Sequence, residues 1–221
     1  MSVASRWLRW SFARSDAVRD AGLSTPDDVI RYDGIRYGED PLWQALDVYR
    51  PRGGEDEALP VIVSVHGGGW VYGDRSLYQF YCMSLAQRGF AVVNFSYRLA
   101  PEHKFPAPLE DANTVFHWVL DHAGRYGFDP RHIFAVGDSA GANILGLYCA
   151  ACADPGYAAG YGFRCPEGFV PKAAALNCGQ YHIERKRLPS TLGQLLIRDY
   201  LPGRGSAGEL ERIDVAAHIT S

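Results

Sequence analysis

Long apolar runs are missing from this chain. Nowhere do about 18 consecutive residues stay apolar, which excludes a membrane-spanning helix in the sequence. A strong charge of either sign is missing too: 22 Lys and Arg stand against 25 Asp and Glu, for a net charge of −3 and a sequence pI near 6.1. With no basic stripe beyond the short run Arg185-Lys186-Arg187, which reads as a solvated face, nucleic acid is not an expected partner. Cysteines are few and odd in number, five in all. Residues 1–14 hold Trp7, Leu8, Trp10 and Phe12 among Arg6, Arg9 and Arg14, but lack the unbroken apolar core of a signal peptide. Reduced thiols and a cytoplasmic location are therefore the expectation. Internal repeats, low-complexity tracts and a domain linker are absent, and no cofactor motif is read. Cys149 and Cys152 have redox or metal spacing, yet they sit in a nearly all-apolar stretch where buried packing is the better reading and no metal is expected.

What is present is a chain of 221 residues, 47% hydrophobic with 24 glycines, enough for one sizeable core. Apolar runs alternate with helix-like segments. Residues 30–37 and 45–49 look like two half-exposed strands, and 61–65 like a buried one. A helix over 76–88 with Gly89 as its stop leads to a strand over 90–97. A helix over about 108–125, a strand over 133–136, a helix over 140–153 and a strand over 173–177 follow, with Asp154-Pro155-Gly156 as a breaker. This alternation implies the α/β class: a mostly parallel sheet with helices on both faces. Residues 1–27 read as an amphipathic N-terminal segment that packs over the domain or a partner.

Two motifs carry chemistry. Gly137-Asp138-Ser139-Ala140-Gly141-Ala142-Asn143 lies between the apolar run 133–136 and a helix-like stretch. Strand, sharp turn, helix is the context a nucleophile elbow requires, so Ser139 is the candidate for an acylated serine. Gly137 and Gly141 flank it because larger side chains would crowd the adjacent strand and helix. Upstream, His66-Gly67-Gly68-Gly69-Trp70 ends another buried-strand pattern. A triple glycine is costly in unfolded-chain entropy unless the backbone must come close to something. Amides aimed at a developing oxyanion, together with the amide after the nucleophile, would supply such a reason.

These blocks, with Tyr97-Arg98-Leu99-Ala100-Pro101-Glu102 and Phe105-Pro106-Ala107 between them, resemble the α/β hydrolases of the hormone-sensitive-lipase-like group, mostly carboxylesterases. The resemblance implies an α/β-hydrolase fold over residues 28–221 and Ser139 as nucleophile. It also implies an oxyanion hole from the amides of Gly68, Gly69 and Ala140, with His66, Gly67, Gly137, Asp138 and Gly141 as scaffold. An N-terminal cap over the active site, a small ester as substrate and a short acyl preference are further implications. Arg98, Glu102, Glu110 and Asp111 read as ion-pair and capping groups.

In that family the triad runs Ser, then Asp or Glu, then His. Both later positions are expected beyond Ser221, so the domain reads as partial, with C-terminal strands and helices missing. An exposed sheet edge able to pair, or self-association, is the structural expectation. Downstream of Ser139, Asp214 and His218 sit four apart, which places both on one helix face, but a surface segment is the stronger reading. His182 reads as a hydrogen-bonded loop histidine, with a substrate-pocket role as the alternative. Beside a working carboxylesterase stand two other readings: a weak or inactive hydrolase remnant, and a ligand-binding module of the kind seen in plant gibberellin receptors.

Overall fold

β-branched and apolar residues concentrate in the segments that become the centre of a sheet. The structure is a computed structural model that describes residues 2–53, 57–183 and 191–219. Its strands are β1 (Val29–Arg36), β2 (Ala45–Pro51), β3 (Leu59–Val65), β4 (Ala91–Phe95), β5 (Phe128–Asp138) and β6 (Ala174–Asn177). They form one six-stranded sheet in the order β1-β2-β4-β3-β5-β6. β1 and β2 are antiparallel to each other, as are β2 and β4, whereas β4, β3, β5 and β6 run parallel. Val61, Val63, Val92, Val93 and Phe95 in the central strands are fully buried. Parallel strands need helices on both faces for such burial.

The helices are α1 (Val3–Arg19), α2 (Gln79–Ala86), α3 (Ala107–Asp121), α4 (Ala123–Tyr126), α5 (Ala140–Ala153), α6 (Pro155–Ala159), α7 (Thr191–Tyr200), α8 (Ala207–Arg212) and α9 (Val215–His218). Several boundaries differ from the sequence reading. β2 is buried along residues 45–50 rather than half-exposed, because it lies between β1 and β4 with α2 against it. The helix expected over 108–125 breaks at His122, whose ring bonds the Trp118 carbonyl at 2.8 Å and stacks on the Trp118 indole. β5 starts at Phe128 instead of residue 133. The stretch before α2 is a 3-10 turn, Arg75–Tyr78, capped by Asp74.

Two polar networks hold the segments around the sheet's carboxyl ends. Asp111 is fully buried and accepts from Gln44 Nε2 at 2.7 Å, from the Arg98 amide at 2.7 Å and from Arg98 Nε at 2.9 Å. Glu110 takes the other side of Arg98 at 2.8 Å. These are the ion pairs expected of Arg98, Glu110 and Asp111, and they pin the proline-rich loop. The second network docks α1. Arg9 donates to the carbonyls of Val71 and Ala100 and pairs with Glu102, Ser2 and Ser5 bond Asp199 of α7, and Tyr72 donates to Asp16. Leu8 is the buried apolar residue on this helix. At the far side, Ala174, Ala175 and Asn177 of β6 are exposed on the last strand in the sheet order.

Candidate active site at the Ser139 turn

β5 ends at Asp138 and α5 begins at Ala140, so Ser139 alone must reverse the chain. Its backbone takes φ 52° and ψ −111°, outside the regions that L-residues normally occupy. The turn holds because its neighbours leave no alternative. The Ser139 amide donates to the Asn177 carbonyl at 2.8 Å, and its carbonyl accepts from the Asn143 amide at 3.1 Å. A Cβ at Gly137 would lie 2.7 Å from the Gly141 carbonyl oxygen, and one at Gly141 would lie 2.1 Å from that of Val65. The two glycines therefore let α5 start directly against β3 and β5.

The glycine loop after β3 faces the same turn. Gly68 has φ +122° and Gly69 φ +61°, and a Cβ on Gly68 would sit 2.0 Å from the Tyr72 carbonyl oxygen. The Gly68 carbonyl accepts from the Val71 and Tyr72 amides, closing the loop on itself. Among the described residues, the amides of Gly68, Gly69 and Ala140 donate to no protein acceptor. Ala140 also opens α5, whose N-terminal partial positive charge favours an anion at that point.

His66 braces the loop from beneath. It is fully buried, stacks on Tyr97 with ring centroids 4.2 Å apart, and its Nδ1–H donates to the Gly67 carbonyl at 2.7 Å. Burial lowers its pKa from 6.5 to about 4, so the ring is neutral at pH 7. Tyr97 donates to the His66 carbonyl at 3.0 Å. On the other side of the elbow, the Tyr78 hydroxyl donates to Asp138 Oδ2 at 2.7 Å, and burial followed by this carboxylate pushes the phenol above its ordinary range.

Ser139, Gly69 and Ala140 line one apolar cavity of 150 Å³, with Trp70, Gln180, Ile183, Gly193, Leu196 and Ile197 as the remaining wall. Gly68 does not reach it. Sequence reasoning named the serine, the glycine and the alanine but missed the wall. The signal for part of it was there: Leu192, Leu196 and Tyr200 recur every four residues, the period of a helix with one apolar face. Gln180 is set by Asn143, whose Nδ2 donates to the Gln180 and Ile213 carbonyls at 2.8 and 3.0 Å. A wider cavity of 490 Å³ opens beside Tyr78, Asp138 and Asn177, but Ser139 does not line it.

Neither downstream histidine reaches the serine. The Asp214–His218 pairing suggested by their spacing does not form. Asp214 caps α9, accepts from the Ile183 amide at 3.2 Å and pairs with His182 Nδ1 at 2.9 Å. His218 bonds the Glu211 carbonyl and lies over the Tyr157 ring. α9 is one short turn, and its N-cap carboxylate points to its own amides rather than along the helix to residue 218. His182 is indeed a bonded loop histidine. Among the described residues, Ser139 Oγ has no hydrogen-bond partner. Cys149 and Cys152 are half-buried free thiols, and no group of three metal-ligating side chains occurs among the described residues.

Comparison with known proteins places the fold. The BD-FAE family profile matches residues 46–154, which run from β2 through the glycine loop and the elbow to the end of α5. Esterase B from Lactobacillus rhamnosis superposes with a TM-score of 0.87 over 98% of this chain and 72% of its own, at 26% identity. The chain has the α/β-hydrolase fold. Among named relatives, esterase LipC of Mycobacterium tuberculosis is 34% identical over 135 residues, 61% of this chain and 32% of LipC. Carboxylesterase NlhH of the same species is 37% identical over 139 residues, 61% of this chain and 43% of NlhH. The chain thus spans less than half the length of these two curated relatives. Among its described residues, no helix is long and apolar enough to cross a membrane.

Proposed function

We propose that this α/β hydrolase carries the acylation half of a serine carboxylesterase site, acting on esters with short acyl groups. The observation that carries the reading is Ser139 held at positive φ in one cavity with the unbonded amides of Gly69 and Ala140. Ser139 Oγ attacks the ester carbonyl carbon and gives its proton to water, and the charge that develops on the carbonyl oxygen meets those two amides. Preorganised donors of this kind are worth roughly 3–4 kcal/mol each in the transition state. The tetrahedral species then collapses: the bond to the alkoxy oxygen breaks, the alkoxide takes a proton from water and leaves as the alcohol, and the acyl group stays on Oγ until water removes it.

The cavity supports the short-acyl preference. An apolar cavity of about this size holds a benzene molecule in a well-studied engineered case, so groups of roughly six carbons or fewer fit. Ile183, Leu196 and Ile197 make its wall apolar. The serine's proton acceptor is not among the described residues. A site lacking that group but keeping its oxyanion donors retains about 10³- to 10⁴-fold acceleration over water.

Hydrolysis of p-nitrophenyl acetate by the 221-residue chain tests this reading. We expect slow, saturable release that is lost in Ser139→Ala. With no imidazole on Oγ, the rate should keep rising with pH to about 9 instead of levelling off near the histidine range. An unchanged rate in Ser139→Ala would remove the proposal.

A further inference from the structure

The docked side of α1 uses Ser5, Leu8, Arg9 and Asp16. Among the described residues, the other side has no partner. At 100° per residue, Val3, Trp7, Trp10, Arg14 and Val18 fall within a sector about 80° wide. Val3 is 82% exposed, Trp7 56%, Trp10 65% and Val18 74%. Single exposed apolar residues are ordinary, but four along one helix, two of them tryptophan, form a stripe that marks an interaction surface.

The charges on the stripe are of one sign. Arg6 and Arg14 are exposed on or beside it. The helix's one acid, Asp16, and the capping Asp20 are turned away and paired, Asp16 with Arg19 and Tyr72, Asp20 with Arg19. Tryptophan and arginine around an aliphatic strip is the composition that favours the boundary between lipid headgroups and acyl chains.

We propose that the outer face of α1 docks this protein onto an anionic lipid surface. A second copy of the chain fits less well. A two-fold pairing through this stripe would bring Arg6 and Arg14 of both copies together with no acid on the face to neutralise them. Anionic headgroups neutralise the arginines, while the indole rings sit at the interface. The helix lies flat, about 25 Å long, with its bonded side still on the protein. α1 packs on α7, which contributes Leu196 and Ile197 to the Ser139 cavity, so docking holds that cavity about one helix diameter, ~10 Å, from the lipid. The inference stands on the surface alone and does not need Ser139 to be acylated.

Co-sedimentation of the full chain with vesicles of phosphatidylcholine containing about a third phosphatidylserine tests it. Binding is expected that weakens with salt and is much poorer on pure phosphatidylcholine. The double variant Arg6→Gln/Arg14→Gln should bind roughly 30-fold more weakly, and Trp7→Ser/Trp10→Ser on the order of tenfold or more. Far-UV circular dichroism and thermal unfolding of both variants should match the parent, since none of the four side chains is buried. Three results would overturn the proposal: no binding to the anionic vesicles at low salt, equal binding by the variants, or a dimer in solution that dissociates in the Trp7→Ser/Trp10→Ser variant and assigns the face to a second copy.

Discussion

Lowering the pH from about 7 to about 4 should remove stability through a single ring, that of His66. The ring is fully buried, its Nδ1–H is given to the Gly67 carbonyl, and its Nε2 has no hydrogen-bond partner among the described residues. Desolvation lowers its pKa from 6.5 to about 4. The unfolded chain takes up the proton near pH 6.5, while the folded chain takes it up only near 4, so between those values the unfolded state binds more protons. The stability that comes from keeping the ring neutral is complete above pH 6.5 and is lost as the pH falls toward 4. At about 1.4 kcal/mol per unit, the window removes about 3 kcal/mol, a sizeable share of the 5–15 kcal/mol typical of a domain. Urea unfolding across this range measures the loss, and NMR titration of the seven histidines assigns it. One imidazole should keep its neutral, Nδ1-protonated form below about pH 5. If every imidazole titrates between about 6 and 7, the buried-ring argument fails.

Gly141→Ala should cost about 3 kcal/mol or more in urea unfolding, because the new Cβ meets the backbone oxygens of Val65 and His66 at 2.1 and 2.5 Å and neither can step aside. Asp111→Ala should cost about 3 kcal/mol in the same assay, since it leaves the Gln44 amide without its acceptor and the half-buried Arg98 with Glu110 as its remaining carboxylate. Leu196→Ala should widen the Ser139 cavity and raise kcat/KM for p-nitrophenyl octanoate relative to acetate by roughly tenfold. An unchanged ratio would show that α7 does not limit the acyl group.

The parts of the fold legible in the sequence are those fixed by local chemistry. The 137–143 segment reads as strand, turn and helix because only glycine tolerates the approach of α5 to β3, and the triple glycine after residue 66 reads as a close-packed loop for the same reason. Sheet order was not legible: β4 inserts between β2 and β3, and nothing in either segment's pattern encodes a neighbour distant in sequence. The same limit hid the His182–Asp214 pair. Helical spacing suggested His218 for Asp214, while the actual partner lies far away in sequence and is joined only by the fold. The helix break at His122 was missed because it comes from a side chain bonding back to a carbonyl, which no spacing of apolar residues marks. α7 was missed although its apolar period was present, since a weakly apolar ten-residue segment looks the same as an ordinary surface helix.

The most direct test of the central claim is covalent labelling of the folded chain with an alkyl fluorophosphonate, read by intact mass and peptide mapping. One adduct is expected, on Ser139, forming faster at about pH 9 than at about pH 7, and absent both in Ser139→Ala and in urea-unfolded protein. An adduct on another residue, or labelling of Ser139→Ala at the parent's rate, would contradict it.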